Sequence, residues 1–378
     1  MQYRRFGRTH QQISVFSLGT MRSLSTPKLF AQTVERAIAL GINHLETAQG
    51  YGKSEAYLGE LLATSLASQR PELKITTKIT PQPDAPTMTQ AIQASRQRLR
   101  IETIDFLAIH GINTPQHLAW VMDPNGCMAA VRKAIAAGQI GHVGCSTHGP
   151  LDLILGLIES DQFDFINLHY SYFFQRNAPA IAQAQAQDLG IFIISPADKG
   201  GQLYTPPRRL QDLCAPYDPL HFNARFLLGQ SAITTLSVGP AKPEDLDWPL
   251  AIADQTQPPT TDEQAIATRL EQAATQALDT DYCRQCYACL PCPEAINIPE
   301  VLRLRNLALA FGMDAFAQYR YQMFEQAGHW FPGRRGDRCT DCGDCLPNCP
   351  EQLAINTLVK DAHNRFRDQP YPRLWEGI

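Results

Sequence analysis

The chain lacks most of the features that would place it in a specialised class. No stretch approaches 18 consecutive apolar residues, so no segment is expected to span a membrane as a helix. Neither sign of charge dominates. With 33 Lys and Arg against 37 Asp and Glu, the formal net charge of −4 gives no electrostatic footprint for nucleic acid or an anionic membrane. After Met1-Gln2-Tyr3-Arg4-Arg5-Phe6 comes Gly7-Arg8-Thr9-His10, where a secretory or twin-arginine leader would need an apolar run, so neither leader is expected. A Gly-x-Gly-x-x-Gly turn is missing after the first apolar run, where Leu18-Gly19-Thr20-Met21 stands, and this argues against an open doubly wound sheet. What remains, at 44% hydrophobic and 19% charged over 378 residues, is an ordinary globular chain. It is long enough for a domain of about 250 residues and a smaller one. The expected location is the cytoplasm.

Cysteine, by contrast, is abundant. Eight of the eleven lie in two runs: Cys283-x2-Cys286-x2-Cys289-x2-Cys292-Pro293 and Cys339-x2-Cys342-x2-Cys345-x3-Cys349-Pro350. Three thiolates separated by two residues each can wrap one turn of backbone around an iron–sulfur cube, with a fourth, before proline, coming from further along. This is the spacing of [4Fe–4S] ligation in two-cluster ferredoxins, where the fourth cysteine of each run binds the other cluster. Zinc is the competing reading, because Zn²⁺ also closes on four thiolates. The third cysteine in each run and the Cys-Pro ends favour the clusters. Disulfides fit less well, since residues three apart in a tight loop make poor partners. Cys127, Cys145 and Cys214 are scattered and are expected as small buried hydrophobes.

Short apolar runs alternate with amphipathic stretches through the first two thirds of the chain. Strands are expected at 15–18, 42–45, 73–77, 104–109, 140–143, 163–168, 190–194 and 233–238. Helices are expected at 33–40, 54–66, 88–99, 128–137, 151–159, 178–189 and, less regularly, 221–228. Eight buried strands alternating with helices predict a parallel sheet closed into a (β/α)8 barrel over residues 1–253. Residues 3–10 predict a short hairpin, turning near Gly7, that plugs the N-terminal mouth. The prolines at 240, 243, 249, 258 and 259 break the periodicity, and 254–261 reads as a linker. Residues 262–378 then form a second domain. It is expected to carry a helix over 262–277, capped by Thr261 or Asp262, a helical stretch over 299–326, and a polar tail after residue 356 that lies over the surface. The long helical insert between the cysteine runs points to a helical ferredoxin-like arrangement.

A barrel of this kind puts chemistry at the C-terminal ends of its strands. The second strand ends in Leu45-Glu46-Thr47, with Tyr51 just beyond. The third ends in Thr77-Lys78 and the fourth in Ile109-His110. A carboxylate, a phenol, an amine and an imidazole thus reach one face. A buried lysine is costly unless paired, and Glu46 is its nearest candidate partner. A cation beside a tyrosine favours phenolate and makes Tyr51 a usable proton donor.

These residues resemble the aldo-keto reductase signature, in Gly41-Ile42-Asn43-His44-Leu45-Glu46-Thr47-Ala48, Tyr51-Gly52-Lys53-Ser54-Glu55, Leu58-Gly59, Thr77-Lys78, Asp105–His110 and Gly144–His148. The resemblance covers roughly the first 240 residues. The whole chain looks like the branch of that family with a C-terminal two-cluster ferredoxin-like domain. The resemblance implies a catalytic tetrad. Tyr51 would be the general acid, Lys78 its pKa-lowering neighbour, Glu46 the holder of Lys78, and His110 the group that orients the carbonyl. It also implies a nicotinamide cofactor, NADPH or NADH. Ser146 and Asn167 match the family's carboxamide-binding positions, and Ser195 lies where the family contacts the cofactor. There are two departures. Glu46 stands where the family has aspartate. The loop Gly239–Asp245 lacks the usual arginine for the adenosine phosphate, with Lys242 as its substitute. Two functions follow: a carbonyl reductase acting on a small molecule, with clusters for electron transfer, or an electron-transfer protein serving a redox partner on a degenerate barrel.

Overall fold

The computed structural model describes residues 1–367. Two antiparallel strands come first, β1 (Tyr3–Arg5) and β2 (Gln12–Ser14), joined through a turn of 3-10 helix at Gly7–Thr9. Eight parallel strands follow: β3 (Phe16–Gly19), β4 (His44–Glu46), β5 (Lys74–Ile79), β6 (Ile104–His110), β7 (Ile140–Ser146), β8 (Phe165–Leu168), β9 (Gly190–Ile193) and β10 (Thr235–Val238). They close into a barrel in the order β10-β3-β4-β5-β6-β7-β8-β9. All eight expected strands are present.

The hairpin seals one end of this barrel. Phe6 is fully buried and packs on Phe106, Phe165 and Phe192, its ring 5.4 Å from Phe106 and 5.1 Å from Phe165. Gly7 makes the approach possible. It sits at φ +51°, and a Cβ there would stand 2.2 Å from the Gly190 nitrogen.

By contacts the described residues divide into two compact units, 1–196 with 224–258, and 197–223 with 259–367. In the first, the helices present apolar stripes to the outside of the barrel. Helix Pro27–Ala39 buries Phe30, Val34 and Ala37, and helix Ala85–Leu99 buries Met88, Ile92 and Leu99. Both begin earlier than periodicity alone predicts, because Thr26 and Asp84 cap them, accepting from the amides of Leu29 and Thr87 at 3.1 and 2.8 Å. A helix at Pro115–Met122, capped by Thr114, escaped the sequence reading, as did Asp247–Ile252 inside the proline-rich stretch.

The second unit is helical. Helix Thr261–Leu278 buries Ile266, Leu270, Ala274 and Leu278 and packs on helix Ile298–Phe311. Its cap is Thr260, in place of the expected Thr261 or Asp262, in a reciprocal capping box with Glu263. The stretch expected as helical over 299–326 is two helices, Ile298–Phe311 and Asp314–Met323. Gly312, at φ +71°, ends the first. A further helix, Ile355–Phe366, occupies the start of the expected tail; from 368 on, that tail lies outside the described residues. Among the described residues no helix is long and apolar enough to cross a membrane.

Candidate active site and cysteine constellation

The loop after β4 is held against β5. The Thr47 amide donates to the Thr76 carbonyl at 2.8 Å and that of Gln49 to the Lys78 carbonyl at 2.9 Å. The chain then turns through Ala48–Tyr51 into helix Ser54–Ala63. The Ser54 hydroxyl, buried between Thr20 and Thr47, locks the start of that helix. This places Tyr51 over the end of β5. Lys78 Nζ donates to Tyr51 Oη at 3.1 Å and pairs with Glu46 Oε1 at 2.8 Å. Glu46 and Lys78 are only 3% and 2% exposed. Burial pulls the Lys78 pKa down, but Glu46 and then Tyr51 outweigh it and leave it raised, so the ammonium stays charged. His110, at the end of β6, sets its ring edge-on to that of Tyr51, with centroids 5.9 Å apart. All four residues expected to form the tetrad meet at the same end of the barrel.

The expected cofactor residues follow around the same end. Ser146 and Asn167 are neighbours across β7 and β8. The Gly111 amide donates to Ser146 Oγ at 3.1 Å. Asn167, fully buried, donates through Nδ2 to Glu46 Oε1 at 3.1 Å, while its Oδ1 has no partner. Ser195 lies two residues past β9 in a left-handed conformation, φ +49°. Lys242 is exposed before the turn Pro243–Leu246, and its ammonium touches none of the other candidates. Two groups escaped the sequence reading as a pair. His169 Nε2 lies 2.8 Å from His148 Nδ1, and His169 Nδ1 lies 3.1 Å from the Ile194 carbonyl. Their one sequence signal was that each follows a strand end by one or two residues.

All eleven cysteines are free, and Cys127, Cys145 and Cys214 are buried. Among the described residues no group of three or more His, Cys, Asp or Glu side chains is set to hold a metal ion. The two runs nevertheless meet at one cavity. Burial pushes the Cys283 thiol up against hydrogen bonds from Gln285, with Cys286 and Cys349 adding to the rise. Burial likewise raises Cys345, with contributions from Cys292, Cys339 and Cys342. Those four line one small cavity together with Pro293, Ile298 and Val359.

A closed parallel barrel with these groups at its strand ends is the arrangement of a known class. Residues 16–208 match the Aldo/keto reductase family, and the chain belongs to that family. It is 29% identical over 167 residues to an aldo/keto reductase of Synechocystis sp., covering 39% of this chain and 50% of that protein. It is 30% identical over 164 residues to the 6-dehydroglucose reductase of Novosphingobium aromaticivorans, covering 38% and 51%. The chain thus spans about half the length of these curated relatives. The holo form of an aldo-keto reductase from Bacillus halodurans shares the fold at TM-score 0.62, with 19% identity, covering 71% of this chain and 96% of that one.

Proposed function

We propose that this chain is an oxidoreductase of the aldo-keto reductase type that reduces a small-molecule carbonyl with NADPH or NADH, or oxidises the corresponding alcohol. We further propose that it is of the branch whose C-terminal domain, 262–378 after a linker at 254–261, binds two [4Fe–4S] clusters. The observation that carries the barrel reading is the buried chain Glu46–Lys78–Tyr51, with hydrogen-bond distances of 2.8 and 3.1 Å. Glu46 keeps Lys78 charged where an unpaired ammonium would be lost to desolvation. Lys78 donates to the Tyr51 oxygen and so stabilises negative charge on it as the hydroxyl proton leaves for the carbonyl oxygen. His110, packed against Tyr51, holds the carbonyl in reach of that proton.

The residues fit a nicotinamide. The unpartnered Asn167 Oδ1 is an acceptor in need of a donor, and a carboxamide NH2 is one. Ser146 offers a hydroxyl beside it, with Ser195 further around the rim and Lys242 as the base for an adenosine phosphate. Bound there, the cofactor would supply hydride. The cysteines fit the clusters by donor set: Cys283, Cys286 and Cys289 with Cys349, and Cys339, Cys342 and Cys345 with Cys292. This crossing is the one two-cluster ferredoxins use, and the cavity lined by Cys292 with Cys339, Cys342 and Cys345 supports it. Such clusters pass one electron at a time. The exposure of Cys286 and Cys342 favours a second reading, in which the clusters serve a redox protein partner and the barrel is only a scaffold.

Two measurements test this. Titration with NADPH and NADH by fluorescence quenching is expected to saturate, with carbonyl-dependent cofactor oxidation; no binding removes the reductase. Anaerobic purification is expected to give about eight irons and eight sulfides per chain. A colourless zinc protein removes the clusters.

A further inference from the structure

We infer that Asn167 is a positioning residue that braces Glu46 from across the barrel, and that a glutamate serves at this position because Asn167 is there to hold it. The inference rests on the reading of Glu46–Lys78–Tyr51 as the proton-delivering site. Strands β4 and β8 stand four apart in a ring of eight, on opposite sides. Glu46 crosses the interior, and its Oε1 takes Lys78 Nζ at 2.8 Å and Asn167 Nδ2 at 3.1 Å. A carboxylate shorter by one methylene, about 1.5 Å, would reach one of these donors but not both. With its amide nitrogen committed to Glu46, the fully buried Asn167 is fixed with its unpaired Oδ1 turned away from the carboxylate. Hydrogen bonds to a charged group are the strong ones, and this one restrains the longer, more mobile side chain. Loss of the amide leaves Glu46 anchored by Lys78 alone, and both shift relative to Tyr51. Displacements of about 1 Å at such a site cost up to roughly a hundredfold in rate.

The test is a double-mutant cycle of Asn167→Ala and Glu46→Asp, read first on the cofactor-free protein. In the native background Asn167→Ala is expected to lower the melting midpoint by about 2–4 °C, and in Glu46→Asp by less than about 1 °C. With carbonyl substrate, Asn167→Ala is expected to lower kcat by about tenfold or more in the native background and by less than about twofold in Glu46→Asp. All four kcat values are read at saturating nicotinamide, so that a lost cofactor contact of Asn167 does not enter them. Equal losses of midpoint and kcat in the two backgrounds would overturn the inference. Asn167→Ser gives the same cycle if the alanine variant does not fold, because its hydroxyl cannot span to Glu46. Should Tyr51→Phe keep full turnover, the proposed reaction fails, while the cofactor-free cycle still decides whether Asn167 braces Glu46.

Discussion

The two compact units make their candidate sites in opposite ways. In the barrel the chemical groups stand at or just past strand ends, cross-linked to neighbouring strands. Glu46 and Lys78 are almost wholly buried and paired. In the second unit the thiols sit on loops that no sheet braces. Gln285, Tyr287 and Asp341, between the cysteines, adopt left-handed conformations, and Cys286 and Cys342 face solvent. One site is preorganised by packing before any ligand arrives. In the other, the sequence spacing carries the design, and the ligand would complete it.

The sharpest way to break this contrast is to remove the buried cation. Lys78→Met leaves the Glu46 carboxylate without its ion partner. It is expected to lower kcat by roughly a thousandfold, with iron content unchanged; retained turnover in a steady-state assay would dissolve the distinction. Next comes the crossing of the cysteine runs. Cys292→Ala with Cys342→Ala is expected to remove about half the iron, and Cys286→Ala with Cys342→Ala nearly all of it. Cofactor affinity should hold in both. If the first pair loses all the iron, the runs do not interleave.

Backbone sterics give a matched pair of smaller effects. Gly7→Ala sets a methyl 2.2 Å from the Gly190 nitrogen, and Gly336→Ala sets one 2.2 Å from the Val359 carbonyl. Each is expected to destabilise its own unit by about 2–4 kcal/mol, seen in calorimetry as one transition moving while the other stays.

The smallest effect is on pH dependence. His44 is enclosed in the barrel, 2.6 Å from Ser17 Oγ and from Thr76 Oγ1. Burial, and then Lys78, bring its pKa from 6.5 down to about 3. The unfolded chain therefore binds a proton that the folded one refuses. The stability is intact above pH 6.5 and drains as pH falls from there toward 3, by about 2 kcal/mol at pH 5. Urea midpoints at pH 7 and pH 5 should show a flatter acid limb in His44→Gln than in the native protein.

The barrel was legible because each strand is a short apolar run bounded by turn residues, and the site because its groups follow those runs directly. The breaks in the helical unit were less so. Gly312 divides a stretch whose composition is helical on both sides, and residues 355–366 bury Leu358, Val359 and Phe366 on a face that reads as polar tail when averaged along the chain. Thr114-Pro115 was a readable cap for a helix that periodicity did not announce. The contact between Glu46 and Asn167 was out of reach altogether. It joins residues 121 apart, and depends on barrel closure bringing opposite strands within reach of one side chain.

The central claim is that Tyr51, its oxygen held by the Lys78 ammonium, delivers the hydroxyl proton to a carbonyl. It is tested most directly by comparing the native protein with Tyr51→Phe in nicotinamide oxidation with an aldehyde, alongside the cofactor Kd of each. The expected result is a loss of at least about a hundredfold in kcat with the Kd within about twofold. Turnover by the phenylalanine variant at the native rate would contradict it.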